Sequence, residues 1–72
     1  MSKYYVWQGK DVIVVDGWAA AMSYTNYFVF DPSEEHPDDR WGVIGKGKWW
    51  PRDVDSIPPE FKTKLLILGA FQ

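Results

Sequence analysis

Seventy-two residues with a net charge of −2 make one small domain, and a chain this short buries only about 60 % of its unfolded surface. It contains no cysteine, which excludes disulfides and thiolate metal sites as the usual supports of small domains, and its near-balanced charge excludes a global pull toward nucleic acid or membrane. What remains is a dense core or a partner, and thirteen aromatic side chains (five Trp, four Tyr, four Phe), each burying about 150–250 Å², supply ring surface for both.

The N-terminus, Met1-Ser2-Lys3-Tyr4, has no apolar stretch of signal-peptide type. Tyr4-Tyr5-Val6-Trp7-Gln8 is aromatic and β-branched and predicts a strand. Gly9-Lys10 supplies a two-residue turn with glycine where a type II′ turn needs it. Asp11-Val12-Ile13-Val14-Val15 returns as a second strand; its unbroken apolar run predicts a central strand buried on both faces. Asp16-Gly17 is a further turn signal. Trp18-Ala19-Ala20-Ala21-Met22 reads as one helical turn or an irregular strand, because alanine favours helix but five residues are too few to stand alone.

Residues 24–30 predict a strand. Residues 31–39 form a polar loop with two prolines, five carboxylates and the single histidine, His36. Trp41-Gly42-Val43-Ile44 is a strand, Gly45-Lys46-Gly47-Lys48 a turn, and Trp49-Trp50 a short strand stopped by Pro51. That proline belongs at an edge or a strand end, since it cannot donate to a ladder; with Lys46 and Lys48 it reads as edge protection. Pro58-Pro59-Glu60 marks a helix start, Phe61, Leu65 and Leu68 share one helical face, and Gly69 suits the position just past the helix. A strand over residues 63–68 is the competing reading. Together these elements predict a mainly β domain: a small antiparallel sheet curled into an SH3-like or OB-like half-barrel, with one short C-terminal helix placing Phe61, Leu65 and Leu68 over an open end.

Residues 40–52 stand out chemically. They hold three of the five tryptophans, three of the six glycines and four cations, and Trp and Arg are the residues that most often anchor binding surfaces. Trp41, Lys46, Lys48, Trp49, Trp50 and Arg52 are the candidate binding residues. Because strand neighbours alternate faces, Trp49 and Trp50 cannot both be core if one face is solvated, so one exposed tryptophan is expected here.

Other motifs carry less. The 31–39 loop lacks the spacing and the glycine of a calcium loop, and one histidine is too few for zinc; it reads as a solvated loop that could speed encounter with a basic partner. Asp53 and Asp55 form a paired carboxylate, but no nucleophile, second histidine or phosphate cradle accompanies them; Asp55 or Ser56 reads as a cap for the following helix. Trp18, Tyr24 and Tyr27 make a second aromatic group, either a patch or shelter for the sheet.

The sequence therefore predicts a non-enzymatic interaction module without cofactor or metal. It would be an inhibitor, an accessory protein or a small subunit of a larger assembly such as a virus particle, binding another protein or itself through the aromatic, basic hairpin. The alternative is a small barrel that stacks single-stranded nucleic acid on the tryptophans, with Lys46, Lys48 and Arg52 on phosphates. No apolar run approaches the ~20 residues of a membrane span, and the expected location is the cytoplasm, or the virion for an assembly subunit.

Overall fold

Aromatic and β-branched runs punctuated by residues that accept positive φ shape the chain. The computed structural model describes residues 3–71; Met1 and Ser2, which begin the stretch read above for a signal peptide, lie outside the described residues. Strands β1 (Lys3–Trp7) and β2 (Val12–Asp16), helix α1 (Gly17–Ala21), strands β3 (Phe28–Phe30), β4 (Trp41–Gly45) and β5 (Lys48–Pro51), and helix α2 (Pro59–Leu68) follow in that order. The strands form one antiparallel sheet in the order β2-β1-β3-β4-β5. The sheet is curled but not closed, so β2 and β5 are its two edges.

Both hairpins follow from local chemistry. Gly9 takes φ 91° at the first central position of the β1–β2 turn, and the Gln8 N–H donates to the Asp11 carbonyl at 2.9 Å. At the β4–β5 turn both central residues have positive φ, Lys46 at 54° and Gly47 at 71°, with Gly45 paired to Lys48. That is the type I′ turn whose twist matches the strands it joins.

Alternation along the strands divides the apolar side chains between two faces. On one face Trp7, Phe30 and Trp41 pack with Ile57, Phe61, Leu65 and Ala70 beneath α2, flanked by Tyr5, Val12 and Phe28. Trp7 stacks on Phe61 at 5.5 Å, and Trp41 meets Phe61 edge-on at 5.7 Å. On the other face Tyr4, Val6, Val29 and Ile44 pack with Ala21 of α1, flanked by Ile13, Val15, Trp18, Tyr24 and Trp49. The single-turn α1 is held by this packing, as a five-residue helix must be. No described helix is long and apolar enough to cross a membrane.

Four expectations require correction. β2 is an edge strand, not a central one; its apolar run reflects partial cover on both faces, Val12 under α2 and Ile13 and Val15 beside α1, rather than paired neighbours on both sides. Residues 24–27 are not strand: Asn26 turns left-handed at φ 73°, donates its N–H to the Ile44 carbonyl at 2.9 Å, and leaves only Phe28–Phe30 in the ladder. Neither Asp55 nor Ser56 caps α2; Pro58 occupies the cap, and the Ser56 hydroxyl donates to the Asp53 carbonyl at 2.7 Å inside the 3₁₀ turn Val54–Ser56. Pro59–Leu68 resolves as helix, but Leu68 is exposed while Phe61 and Leu65 are buried. Gly69, at φ 74°, closes a Schellman turn in which Gly69 N–H bonds Leu66 and Ala70 N–H bonds Leu65. That turn folds Ala70 into the core and sets Phe71 against Phe30 and Trp41, filling the space Leu68 was expected to occupy.

Candidate binding groove on the outer hairpin

The register of β4 and β5 sorts the six predicted binding residues. Trp50 lies opposite Val43 and Lys48 opposite Gly45, so both side chains project from the face that α2 covers farther inward. The Arg52 N–H bonds the Trp41 carbonyl at 2.9 Å, which continues the ladder and puts Arg52 on that same face. Trp49 projects from the opposite face, half-buried against the α1 cluster. Its indole lies over Gly42: a Cβ at Gly42 would fall 2.5 Å from Trp49 Cε2 and Cζ2. Trp41 is a core residue, 5 % exposed. The hairpin therefore presents one tryptophan, Trp50, at 46 % exposure, as alternation requires.

α2 covers the sheet from β2 to the Trp41 end of β4, and the outer end of β4–β5 is left open. There Thr25, Asn26, Val43, Gly45, Lys46, Trp50 and Arg52 line a groove of about 380 Å³. Its apolar surface is Val43 and the Trp50 ring. The ring is fixed rather than loose, because its Nε1–H donates to the Gly45 carbonyl at 3.0 Å. An Arg52 Nη1–H donates to the Pro51 carbonyl at 3.3 Å, which leaves most of the guanidinium's donors for a ligand. Lys46 closes the tip, and no carboxylate lines the groove.

Four of the six predicted residues thus share one face: Lys46, Lys48, Trp50 and Arg52. Trp41 and Trp49 do not join them. Thr25, Asn26 and Val43 were not singled out from sequence. Val43 was legible in principle as the cross-strand partner of Trp50. Thr25 and Asn26 reach the groove only because residues 24–27 bend out of the sheet.

In the 31–39 loop, Asp31 Oδ1 accepts from Ser33 N–H at 3.0 Å and Ser33 Oγ–H at 2.6 Å, and Arg40 Nε–H donates to the Glu34 carbonyl at 2.7 Å, so these groups hold the loop's own shape. Among the described residues no three His, Asp or Glu side chains come together to hold a metal. Asp53 and Asp55 are exposed. Tyr24 and Tyr27 meet edge-on at 6.3 Å and Tyr4 and Trp18 tilt together at 6.1 Å, with Trp18 and Tyr24 sheltering the sheet. Burial, reinforced by the Asp31 carboxylate, pushes the Tyr4 phenol above its ordinary pKa. No protein family, characterised protein or solved structure matches this chain.

Proposed function

We propose that this protein is a non-enzymatic interaction module that grips a segment of another protein in the groove beside Trp50. The observation that carries the reading is one rigidly held, exposed tryptophan beside Val43, ringed by Lys46, Lys48 and Arg52, with no carboxylate in the groove lining. Fixed aromatic rings give contact area at low entropy cost. Arginine and tryptophan near the centre of a contact carry most of its energy. The chemistry fits an extended or looped segment that seats an apolar side chain on Trp50 and Val43 and sets a carboxylate near Arg52 or Lys46. An inhibitor, an accessory protein and an assembly subunit all use such a contact.

Single-stranded nucleic acid is the second reading. Non-specific strand binders stack successive bases on several aromatic platforms, and here Trp41 is core and Trp49 faces away, so the groove offers one platform. That favours protein.

The test is a tagged pull-down from host lysate with and without nuclease, repeated with Trp50→Ala and with Trp49→Ala as the opposite-face control. The expected result is a protein retained after nuclease and lost with Trp50→Ala but not with Trp49→Ala. With the captured protein purified, Trp50→Ala should weaken binding by at least about 30-fold, the scale of a hot spot. Loss of all captured material on nuclease treatment, with an affinity for oligonucleotide that falls steeply with salt, would overturn the reading in favour of nucleic acid.

A further inference from the structure

We propose that β2 pairs edge to edge with β2 of a second copy of this chain, about a twofold axis beside Val14, joining two five-stranded sheets into one. The proposal concerns the opposite edge of the sheet from the groove and does not rest on it.

The two edges are not alike. Bonded pairs alternate with unbonded pairs along an antiparallel ladder. Since Gln8 bonds Asp11, the bonded partners of β1 on β2 are Ile13 and Val15, which lie opposite Val6 and Tyr4. The N–H groups of Val12, Val14 and Asp16 therefore point away from the sheet, as do the carbonyls of Val12 and Val14. The Asp16 carbonyl is turned to the first turn of α1, as expected of a residue in the N-cap position. Among the described residues no backbone or side-chain group bonds these outward groups of β2. At β5 the same alternation turns Trp49 and Pro51 outward, and proline has no N–H to offer. One edge is blunted and the other is a row of unpaired amides on an apolar strand, which natural sheets rarely leave uncovered.

A second copy fits that row. With Val14 opposite Val14 of the copy, Asp16 falls opposite Val12, Ile13 opposite Val15, and Asp11 opposite Gly17. About four interchain bonds form: two between the valines at the axis, and one from each Asp16 N–H to a Val12 carbonyl. No like charges oppose each other. A slip of one residue sets Asp11 against Asp16 and faces each outward group with a residue whose own groups bond β1, so that register is disfavoured. Lys10 lies diagonal to Asp16 of the copy, within reach of a long side chain.

The neighbouring surface continues the match. The twofold keeps both α2 helices on one side of the joined sheet. Val14 is 49 % exposed on that side. Lys64 reaches Asp11 at 4.0 Å, which identifies the flank of α2 that faces β2, and Ile67 and Leu68, three and four residues on, share that flank. They are 76 % and 51 % exposed. Val14, Ile67 and Leu68 thus border the open edge, and their counterparts would meet them across the axis. This is the self-complementary patch of an isologous dimer. The five residues of β2 span only about 17 Å, less contact than the roughly 800 Å² per partner of a tight complex, so we expect a dissociation constant of about 100 µM.

Sedimentation equilibrium from low concentration to about 1 mM, where a dissociation constant of ~100 µM leaves most chains paired, tests this together with amide exchange. The expected result is a rise from the 8.4 kDa monomer toward twice that mass, with protection of the Val14 and Asp16 amides growing with concentration. Val14→Lys sets like charges across the axis, and Val14→Pro removes an outward N–H that the sheet does not use. Either variant should hold the chain monomeric with its circular dichroism unchanged, while Trp50→Ala dimerises like the wild type. A wild-type chain still monomeric at about 1 mM overturns the proposal. So does a dimer that survives both Val14 variants, or one lost with Trp50→Ala, which would move the contact to the groove.

Discussion

Gly42→Ala tests the packing that sends Trp49 and Trp50 to opposite faces. Gly42 has no unusual backbone angle, so alanine is acceptable there to the backbone itself. The obstacle is space. The new Cβ would stand 2.5 Å from two carbons of the Trp49 indole and 2.8 Å from the Trp50 carbonyl oxygen, where ordinary contact begins at 3.4 Å. The ring must withdraw by about 0.9 Å from a surface it shares with the α1 cluster, and the β4–β5 backbone must yield as well. Overpacking of this kind costs about 1–3 kcal/mol. Because one obstacle is backbone, a loss of about 2–3 kcal/mol is expected, which is large beside the roughly 4–11 kcal/mol that a domain of this size holds in total. At about 4–8 °C per kcal/mol for such a domain, the midpoint of thermal unfolding should fall by about 8–24 °C. The assay is thermal unfolding followed by circular dichroism for wild type, Gly42→Ala, Trp49→Ala and the double variant. Removing the ring first should reduce the cost of Gly42→Ala by at least about 1 kcal/mol. An unchanged midpoint for Gly42→Ala, or strictly additive losses in the double variant, would refute the reasoning.

Lys46→Asn should raise stability by a few tenths to about 1 kcal/mol, because asparagine tolerates the left-handed conformation of a type I′ turn better than lysine; urea denaturation measures it, and a loss of stability would count against the turn assignment. Trp41→Ala should cost about 3–5 kcal/mol, enough to leave the chain largely unfolded, whereas Trp50→Ala, which loses a half-exposed ring and one hydrogen bond, should cost about 1 kcal/mol; equal losses in calorimetry would mean the two tryptophans are not partitioned between core and groove. Tyr4 has its pKa raised by burial and by Asp31, so the fold favours the neutral phenol. That contribution is fully present below the ordinary tyrosine value of about 10 and is lost as pH rises through the higher folded-state value. Tyr4→Phe should therefore flatten the alkaline fall in unfolding midpoint, and an unchanged alkaline profile in that variant would show that Tyr4 does not drive it.

Much of this protein was legible in its sequence because the deciding physics is local. Gly9, the Lys46-Gly47 pair and Gly69 mark turns through the backbone angles they accept. Pro58 and Pro59 mark the start of α2, and the two-residue period of a strand was enough to separate Trp49 from Trp50. What reached across the chain was not legible. The unbroken apolar run of β2 has the same composition whether its cover comes from neighbouring strands or from helices above and below, so its place at an edge had to come from the strand order. Trp41 and Trp50 share one sheet face, and only the reach of α2 and of Phe71 makes the first a core residue and the second a groove wall. Residues 24–30 read as one strand from their aromatic and β-branched members, and the contact of Asn26 with Ile44, eighteen positions away, bends Thr25 and Asn26 into the groove. Propensity and turn chemistry act over a few residues, and they determined where this chain bends, extends and coils. Which edge stays open and which tryptophan meets solvent depend on what packs over each face, and that is decided by contacts between residues far apart in sequence.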